Sequence, residues 1–516
     1  MTVAPIIILF LSALITWLTR HRHNRTQWVV SALLGFIVWA FMIFINVEEA
    51  PVFGISVWQP EDLFQSPVSL TIDSITWPLV YGAVTVLLTV ILTAATRRTA
   101  ASAGIRSFWF LYTAFALIAI MSANLLTTVI AWAFMDLGML IFLLAVSETS
   151  QDRRAIFSRA GINAVSVLLI IAAAMASQIT GVLGLDLTST SAVGIMMLAI
   201  AATFRLGMIP LHFALPPIAP LRRGVGTLLR LFPPIVAMVI LARVFEAGLT
   251  DVLQVVFLAA GTIGGLFGAI RWILQQDAVT ARPFFILGFV GLALIIATIS
   301  PNGSEIIVSA GLVILLVGAV LSLFSQYTPS HRLIPIAASA LLLGLPFTPG
   351  AVYAATIADF DVFLSSPVMG SLAVVISSLL ALGCFHLFFS AEVQWPSSES
   401  LARVMFNVGL TLPILASFGV GSWRLTADPL RALIFFSTTL LIGVVFFFVF
   451  RGLSIEQIEG LRQFLESVDP DRIYEFVWSG FQRFLIALRR LGNLLEGTSG
   501  MLWVIVFVIF IVLIIQ

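Results

Sequence analysis

Apolar residues arrive along this chain in blocks of about twenty, the length needed to cross a bilayer as a helix, with short polar loops between them. The blocks place spans near 3–18, 27–45, 74–95, 107–122, 125–146, 160–177, 192–217, 225–245, 252–272, 283–299, 305–325, 333–358, 367–389, 403–421, 431–450 and 501–515. The pattern changes between the last two. Over 454–497 apolar residues recur at spacings of three and four, as in Ile455, Ile458, Leu461, Leu465 and then Ile473, Phe476, Phe484, Leu488 and Leu491, with charges opposite. Asp469-Pro470-Asp471 breaks this segment and starts a new helix. Such an amphipathic segment lies along the membrane surface, either as a strut packed against other helices or as a plain surface helix.

Composition agrees. The chain has 516 residues, 60% hydrophobic and 10% charged, where a soluble protein carries about 25% charged residues. The expected class is an all-α polytopic membrane protein of about sixteen spans. Its segments are an N-terminal pair of helices with an outer loop (1–70), a core with a first repeat (71–245), a second repeat (250–390), two further spans (400–450), the lateral helix (454–497) and a final span (501–516). The single cysteine, Cys384, sits in an apolar block and excludes a disulfide framework or a cysteine-ligated metal cluster.

Charge adds the orientation. All 26 basic side chains are arginine. The first block lacks a preceding positive residue and is followed by Arg20, Arg22 and Arg25, the wrong polarity for a cleaved signal peptide, so it reads as a retained span. With the N-terminus outside, the inner segments hold 21 arginines, among them Arg97, Arg98, Arg106, Arg153, Arg154, Arg159, Arg222 and Arg223. The outer segments hold three, Arg243, Arg424 and Arg431, while Arg205 and Arg230 fall within spans. The bias predicts a multi-pass protein of the cell (inner) membrane with both termini outside.

Two spans are interrupted by proline: the seventh by Pro210, Pro216 and Pro217, the twelfth by Pro346 and Pro349. A broken helix frees backbone groups that neighbours or a wet cavity must satisfy. The two lie five spans apart and so run in opposite directions, which makes spans 4–8 and 9–13 candidate inverted five-helix repeats. Simple proline kinks are the alternative.

Four segments carry a family resemblance. LTIDSITWPLVYGAV (70–84), SANLLTTVIAWAFMDLGMLIFLL (122–144), FRLGMIPLHFALPPIAP (204–220) and LLLGLPFTPG (341–350) resemble, in order and spacing, the antiporter-like membrane subunits shared by respiratory complex I, Mrp-type cation/proton antiporters and membrane-bound hydrogenases. The likeness covers roughly residues 70 to 360, and a lateral helix before one last span resembles the longest members. It implies fourteen core helices in two inverted repeats, other membrane subunits as partners, and protons or monovalent cations moved by buried charges along the midplane. Those charges are a Glu on the fifth helix, a Lys on the seventh, a His or Lys on the eighth, a Lys on the eleventh and a Lys or Glu on the twelfth.

This chain departs from that relay at nearly every step. Ala133 stands in the glutamate position, and the nearest carboxylate, Asp136, is one turn further on. Arg205 stands in the lysine position, five before Pro210, and Arg230 lies close to the histidine position. The eleventh span offers Ile306, Ser309 and Ala310, and the twelfth reads Gly350-Ala351-Val352-Tyr353-Ala354, with Asp359 only near its outer end.

Arginine does not deprotonate in proteins, so Arg205 and Asp136 are either a static buried pair or a gate that biases a water chain. Arg230 either snorkels to the inner surface or joins a relay. Asp73 either caps the third helix or lines the ion path, and His212 is either a satisfied core histidine or the titratable group of the broken segment. His386 reads as core, His331 as a loop residue, and Glu246 and Glu305 as solvated at outer helix ends. Glycines near 261–270 serve helix packing.

The sequence holds no phosphate loop, nucleophile triad, metal cluster or nucleotide fingerprint, so no cofactor, no nucleic-acid partner and no chemistry of its own are expected. The resemblance implies at most the translocating subunit of an NADH:quinone oxidoreductase-like or hydrogenase-like complex. The alternatives are a scaffold paralogue with a degenerate relay, or an independent solute transporter.

Overall fold

In the computed structural model, the described residues are 2–45, 47, 52–55, 67–96, 101–178, 191–208, 223–275, 278–388, 395, 399–425, 427–452 and scattered positions from 457 to 486. The backbone must satisfy its own hydrogen bonds in hydrocarbon, and the apolar blocks do so as helices. Two helices, α1 (Ala4–Leu18) and α2 (Asn24–Ile43), precede a pair of short strands, β1 (Phe53–Ile55) and β2 (Val68–Leu70), paired antiparallel with Phe53 opposite Leu70. Six helices follow, α3 (Thr76–Thr93), α4 (Ala103–Ile120), α5 (Leu125–Val146), α6 (Ser150–Gln178), α7 (Ala192–Leu206) and α8 (Arg223–Ala247). After them come α9 (Asp251–Leu274), α10 (Ala278–Ile299), α11 (Gly303–Leu323), the broken pair α12 (Leu333–Leu342) and α13 (Gly350–Ile357), short α14 (Phe360–Ser365) and α15 (Pro367–Phe388). Helices α16 (Ser400–Trp423) and α17 (Pro429–Gly452) complete the unit that ends at Leu453.

Among the described residues, thirteen helices are long and apolar enough to cross a membrane, and α7 is a shorter apolar helix. With the broken α12–α13 pair they account for fifteen of the sixteen expected spans. The sixteenth (501–515) lies outside the described residues, as does most of the lateral segment. Within the unit beginning at Ser454, the described positions are helical, and Glu459 and Arg462 approach to 3.9 Å.

Helices α8 and α11 are buried over their whole apolar windows and pack together with α3 at the centre. Helices α9 and α10 meet backbone to backbone: a Cβ on Gly261 would lie 2.9 Å from the Gly291 carbonyl oxygen, and one on Gly288 2.9 Å from the Ala269 nitrogen. The glycine-rich stretch therefore serves helix packing, as its small residues predict.

The broken helices differ from the proline reading in one respect. Glycine, not proline, stops each helix. Helix α7 ends at Leu206 because Gly207 takes a left-handed conformation (φ 72°), with its N–H donating to the Phe204 carbonyl and Met208 N–H to the Thr203 carbonyl. Helix α12 ends the same way at Gly344 (φ 80°), with Gly344 N–H donating to Leu341 and Leu345 N–H to Ala340. Both are Schellman stops, which suit glycine because it has no Cβ to clash. The shared pattern, leucine-glycine-apolar and then proline, ties 206–210 to 343–346. Pro210, Pro216 and Pro217 lie outside the described residues.

Candidate functional site

Four buried charges of the first half, Asp136, Arg159, Arg205 and Arg230, converge on one cluster. Trp132 and Asp136 stand four residues apart on α5, hence on one face. Arg205, one residue before the end of α7, fits both: its guanidinium carbon lies 4.1 Å from the Trp132 ring centroid, and its two terminal nitrogens donate to the two Asp136 carboxylate oxygens at 2.6 and 3.2 Å. This bidentate fork is a geometry that lysine cannot reproduce. The Arg205 side chain is fully buried and that of Asp136 is 17% exposed. Asn163 on α6 donates from Nδ2 to Asp136 Oδ1 at 3.0 Å, so the carboxylate receives three hydrogen bonds.

Around this pair lie further buried groups. Tyr112 on α4 sits within electrostatic range of Asp136, Arg159 and Arg205. Its ring stacks on Phe108 and Phe232, and its hydroxyl has no hydrogen-bond partner among the described residues. Arg159, one turn before Asn163 on α6, is 5% exposed and is within electrostatic range of Asp136, Arg205 and Arg230. Arg230 on α8 is 4% exposed and engaged with a partner. Burial corrects the snorkelling reading of Arg230: α8 is enclosed by α3, α4, α7 and α11, so its side chain meets protein before it meets the inner surface. Burial likewise moves Arg159 from the inner loops into the helical cluster. Helices α4 to α8 thus bring together three guanidiniums and one carboxylate, with a phenol and an amide.

The remaining sequence candidates lie elsewhere. Asp73 sits just before the N-terminus of α3, where Oδ1 accepts hydrogen bonds from Ile75 N–H (3.1 Å) and from Thr76 N–H and hydroxyl (2.9 and 3.0 Å), and Oδ2 pairs with Arg243 of α8. Burial pushes the Asp73 carboxyl up, but the Arg243 charge and the hydrogen bonds from Thr76 and Arg243 outweigh it and hold it below the usual carboxylate value. Asp73 is therefore not part of the buried cluster. Arg243 also reaches Glu246 Oε2 at 3.1 Å, and Asp359 pairs with Arg431. His212 lies outside the described residues, and so does the side chain of His386. His331, expected as a plain loop residue, is buried: its Nδ1 accepts from Tyr327 N–H at 3.2 Å, its Nε2 lies 2.9 Å from Asn407 Oδ1, and Tyr327, Trp395 and Phe406 surround it.

At the second break, hydroxyls satisfy the backbone. The Ser309 hydroxyl on α11 donates to the Pro349 carbonyl, and Tyr353 on α13 donates to the Leu342 carbonyl at the end of α12. Both side chains are buried, and Pro346 and Pro349 flank the turn they close. Phe347 takes a positive φ of 64°, a conformation rare for a bulky residue and a mark of local strain.

Sequence reasoning reached Asp136, Arg205 and Arg230 but not Tyr112, Arg159, Asn163, Gly207, Gly344 or Tyr353. For Arg159 and Asn163 a signal existed, a polar pair at i and i+4 on an apolar helix, masked by an arginine-rich loop. For Tyr112 there was none, because a tyrosine among aromatics reads as packing.

Helices broken by glycine stops, around a buried ion pair, define an all-α polytopic membrane protein. Solved structures share this fold: a chain of the Mrp complex from Dietzia sp. DQ12-45-1b superposes with a TM-score of 0.69 at 16% identity over 96% of this chain. A chain of the membrane-bound sulfane sulfur reductase, an archaeal respiratory membrane complex, superposes with a TM-score of 0.73 at 13% identity over 99% of both chains. This chain spans 63% of the length of the Mrp chain. No protein-family model and no curated protein sequence matches it.

Proposed function

We propose that this protein is an antiporter-like membrane subunit of a multi-subunit complex of the Mrp or respiratory kind, with a degenerate charge relay and a structural role in that complex. The observation that carries the reading is the bidentate pair of Arg205 with Asp136. A proton relay needs side chains that release and regain protons, and a guanidinium held on a carboxylate and an indole does neither. At the second break Ser309 and Tyr353 close the backbone with neutral hydrogen bonds, where a relay needs a titratable group. The pair holds α5 to α7 and fixes one arrangement of the first half.

A second reading rests on Tyr112 and Arg159. These place additional polar groups beside Asp136, and a cluster of this kind supports ion movement gated by the pair. Orientation with both termini outside, and residence in the cell membrane, follow the arginine bias and belong to the same proposal.

Proton and sodium flux in proteoliposomes, for the chain alone and with its co-purified subunits, separates the two. The structural reading expects background flux for wild type, Arg205→Ala and Asp136→Ala alike. Flux in wild type that both substitutions abolish, with folding intact, overturns it in favour of gated translocation. Purification of the chain free of any other membrane subunit argues against both.

A further inference from the structure

One cavity stands apart from the charge cluster, where α2 begins, α3 ends, α4 begins and α16 begins, so four helix ends share one membrane face. It measures about 210 Å³ and is lined by His23, Arg25, Trp28, Arg106, Glu399 and Leu401, among others. The Arg106 guanidinium, 3% exposed, bonds only neutral oxygens: Gln27 Oε1 at 3.0 Å, the Asn24 carbonyl at 3.4 Å and Asn24 Oδ1. Its charge therefore has no carboxylate facing it among these partners. The Arg25 guanidinium is exposed and makes no hydrogen bond or ion pair among the described residues. His23 turns Nδ1 to the Arg25 N–H (3.3 Å), which leaves Nε2 available to donate. Trp28 forms a fixed wall, with its indole N–H donating to the Ile91 carbonyl at 2.8 Å. Glu399, the one acid of the lining, sits at the α16 N-cap and has its own partner.

Two apolar tracks run from this cavity along the membrane-spanning helices. On α2, Val29, Leu33 and Phe36 are exposed one turn apart, starting beside Trp28. On α16, Leu401, Val404 and Val408 are exposed in the same rhythm, starting at the lining itself. A basic pocket at a helix-end boundary takes a phosphate group, and basic pockets between transmembrane helices hold anionic lipid headgroups. Free phosphate has the same headgroup chemistry but makes no use of the two tracks.

We infer that this cavity binds the phosphate of an anionic phospholipid, with Arg25 and Arg106 facing the headgroup and its acyl chains lying along α2 and α16. The lipid supplies the negative charge that Arg106 lacks.

The test uses the full chain with any co-purified subunits, exchanged into detergent and offered phosphatidylglycerol or phosphatidylcholine, with bound lipid read by native mass spectrometry. Phosphatidylglycerol should be retained over phosphatidylcholine, and Arg25→Gln should weaken its retention about fivefold, the loss expected for one surface arginine. Arg25→Lys should keep most of it. Because Arg25 is exposed and bonds nothing through its guanidinium, the variant tests binding without disturbing folding. Equal retention of the two lipids, or no change in Arg25→Gln, overturns the proposal. Millimolar inorganic phosphate that displaces the lipid, or that raises the melting temperature as much as the lipid does, assigns the pocket to free phosphate and overturns it too.

Discussion

Arg205 and Asp136 meet as a two-toothed fork across α5 and α7, with Trp132 as a floor beneath the guanidinium. Asp136 takes its hydrogen bonds from Arg205 and Asn163, and the Arg205 side chain is fully buried between Asp136 and Trp132.

Removing one partner leaves the other buried and uncompensated. Arg205→Ala should cost about 3–5 kcal/mol, read as a lowered melting temperature of the detergent-solubilised protein. Arg205→Lys should fall between, since it keeps the charge and loses the fork. The double change Arg205→Met with Asp136→Leu should recover most of the loss. A single substitution as mild as the double one would show that the pair is hydrated and weak.

Asp73 predicts an acid limb. Its carboxyl is held below its ordinary value of 3.8, so the folded state keeps the proton off more strongly than the unfolded chain does. That stabilisation is complete above the unfolded value and drains away as pH falls through the folded one. Thermal unfolding from pH 7 to pH 3 should therefore be flat down to about pH 4 and then drop. Asp73→Asn should flatten the drop and lower stability at neutral pH by about 1 kcal/mol through the weakened cap.

At the second break, Tyr353→Phe takes from the buried Leu342 carbonyl its hydroxyl donor, whereas Ser309→Ala removes one of two donors to the Pro349 carbonyl, which keeps Val352 N–H. A loss of about 1–3 kcal/mol is expected for Tyr353→Phe and about 0.5–1.5 kcal/mol for Ser309→Ala, with faster hydrogen exchange over 343–353. Unchanged exchange in both variants would mean that the turn is held by packing alone.

Helices α9 and α10 have no room between them. Gly291→Val should force the backbones apart and cost about 1–3 kcal/mol, whereas Gly161→Ala on α6, where a Cβ meets nothing within 4 Å, should be neutral. Similar losses at both sites would contradict the close packing.

Much of the architecture was legible because the bilayer imposes a length on every span. Fifteen spans follow the apolar blocks with modest shifts at their ends. The broken helices were legible as positions but not as causes: proline stands out in a sequence, while the glycines that stop α7 and α12 look like any small residue in a span. Asp136, Arg205 and Arg230 were legible because a charge in an apolar block is costly wherever it lies. Arg159 was not, because its place beside a loop gave it a cheaper explanation.

By itself, the sequence determined the class, the places of the fifteen described spans and the absence of lysine. These depend on composition and period alone. The tertiary structure decided which charges meet: that Arg205 takes Asp136 and Trp132 together, that Tyr112 and Arg159 join them, and that Asp73 is bound to Arg243 instead. Pairing depends on the rotation and depth of each helix against its neighbours. A shift of one residue turns a side chain by about 100°, and only the packed helices set that angle.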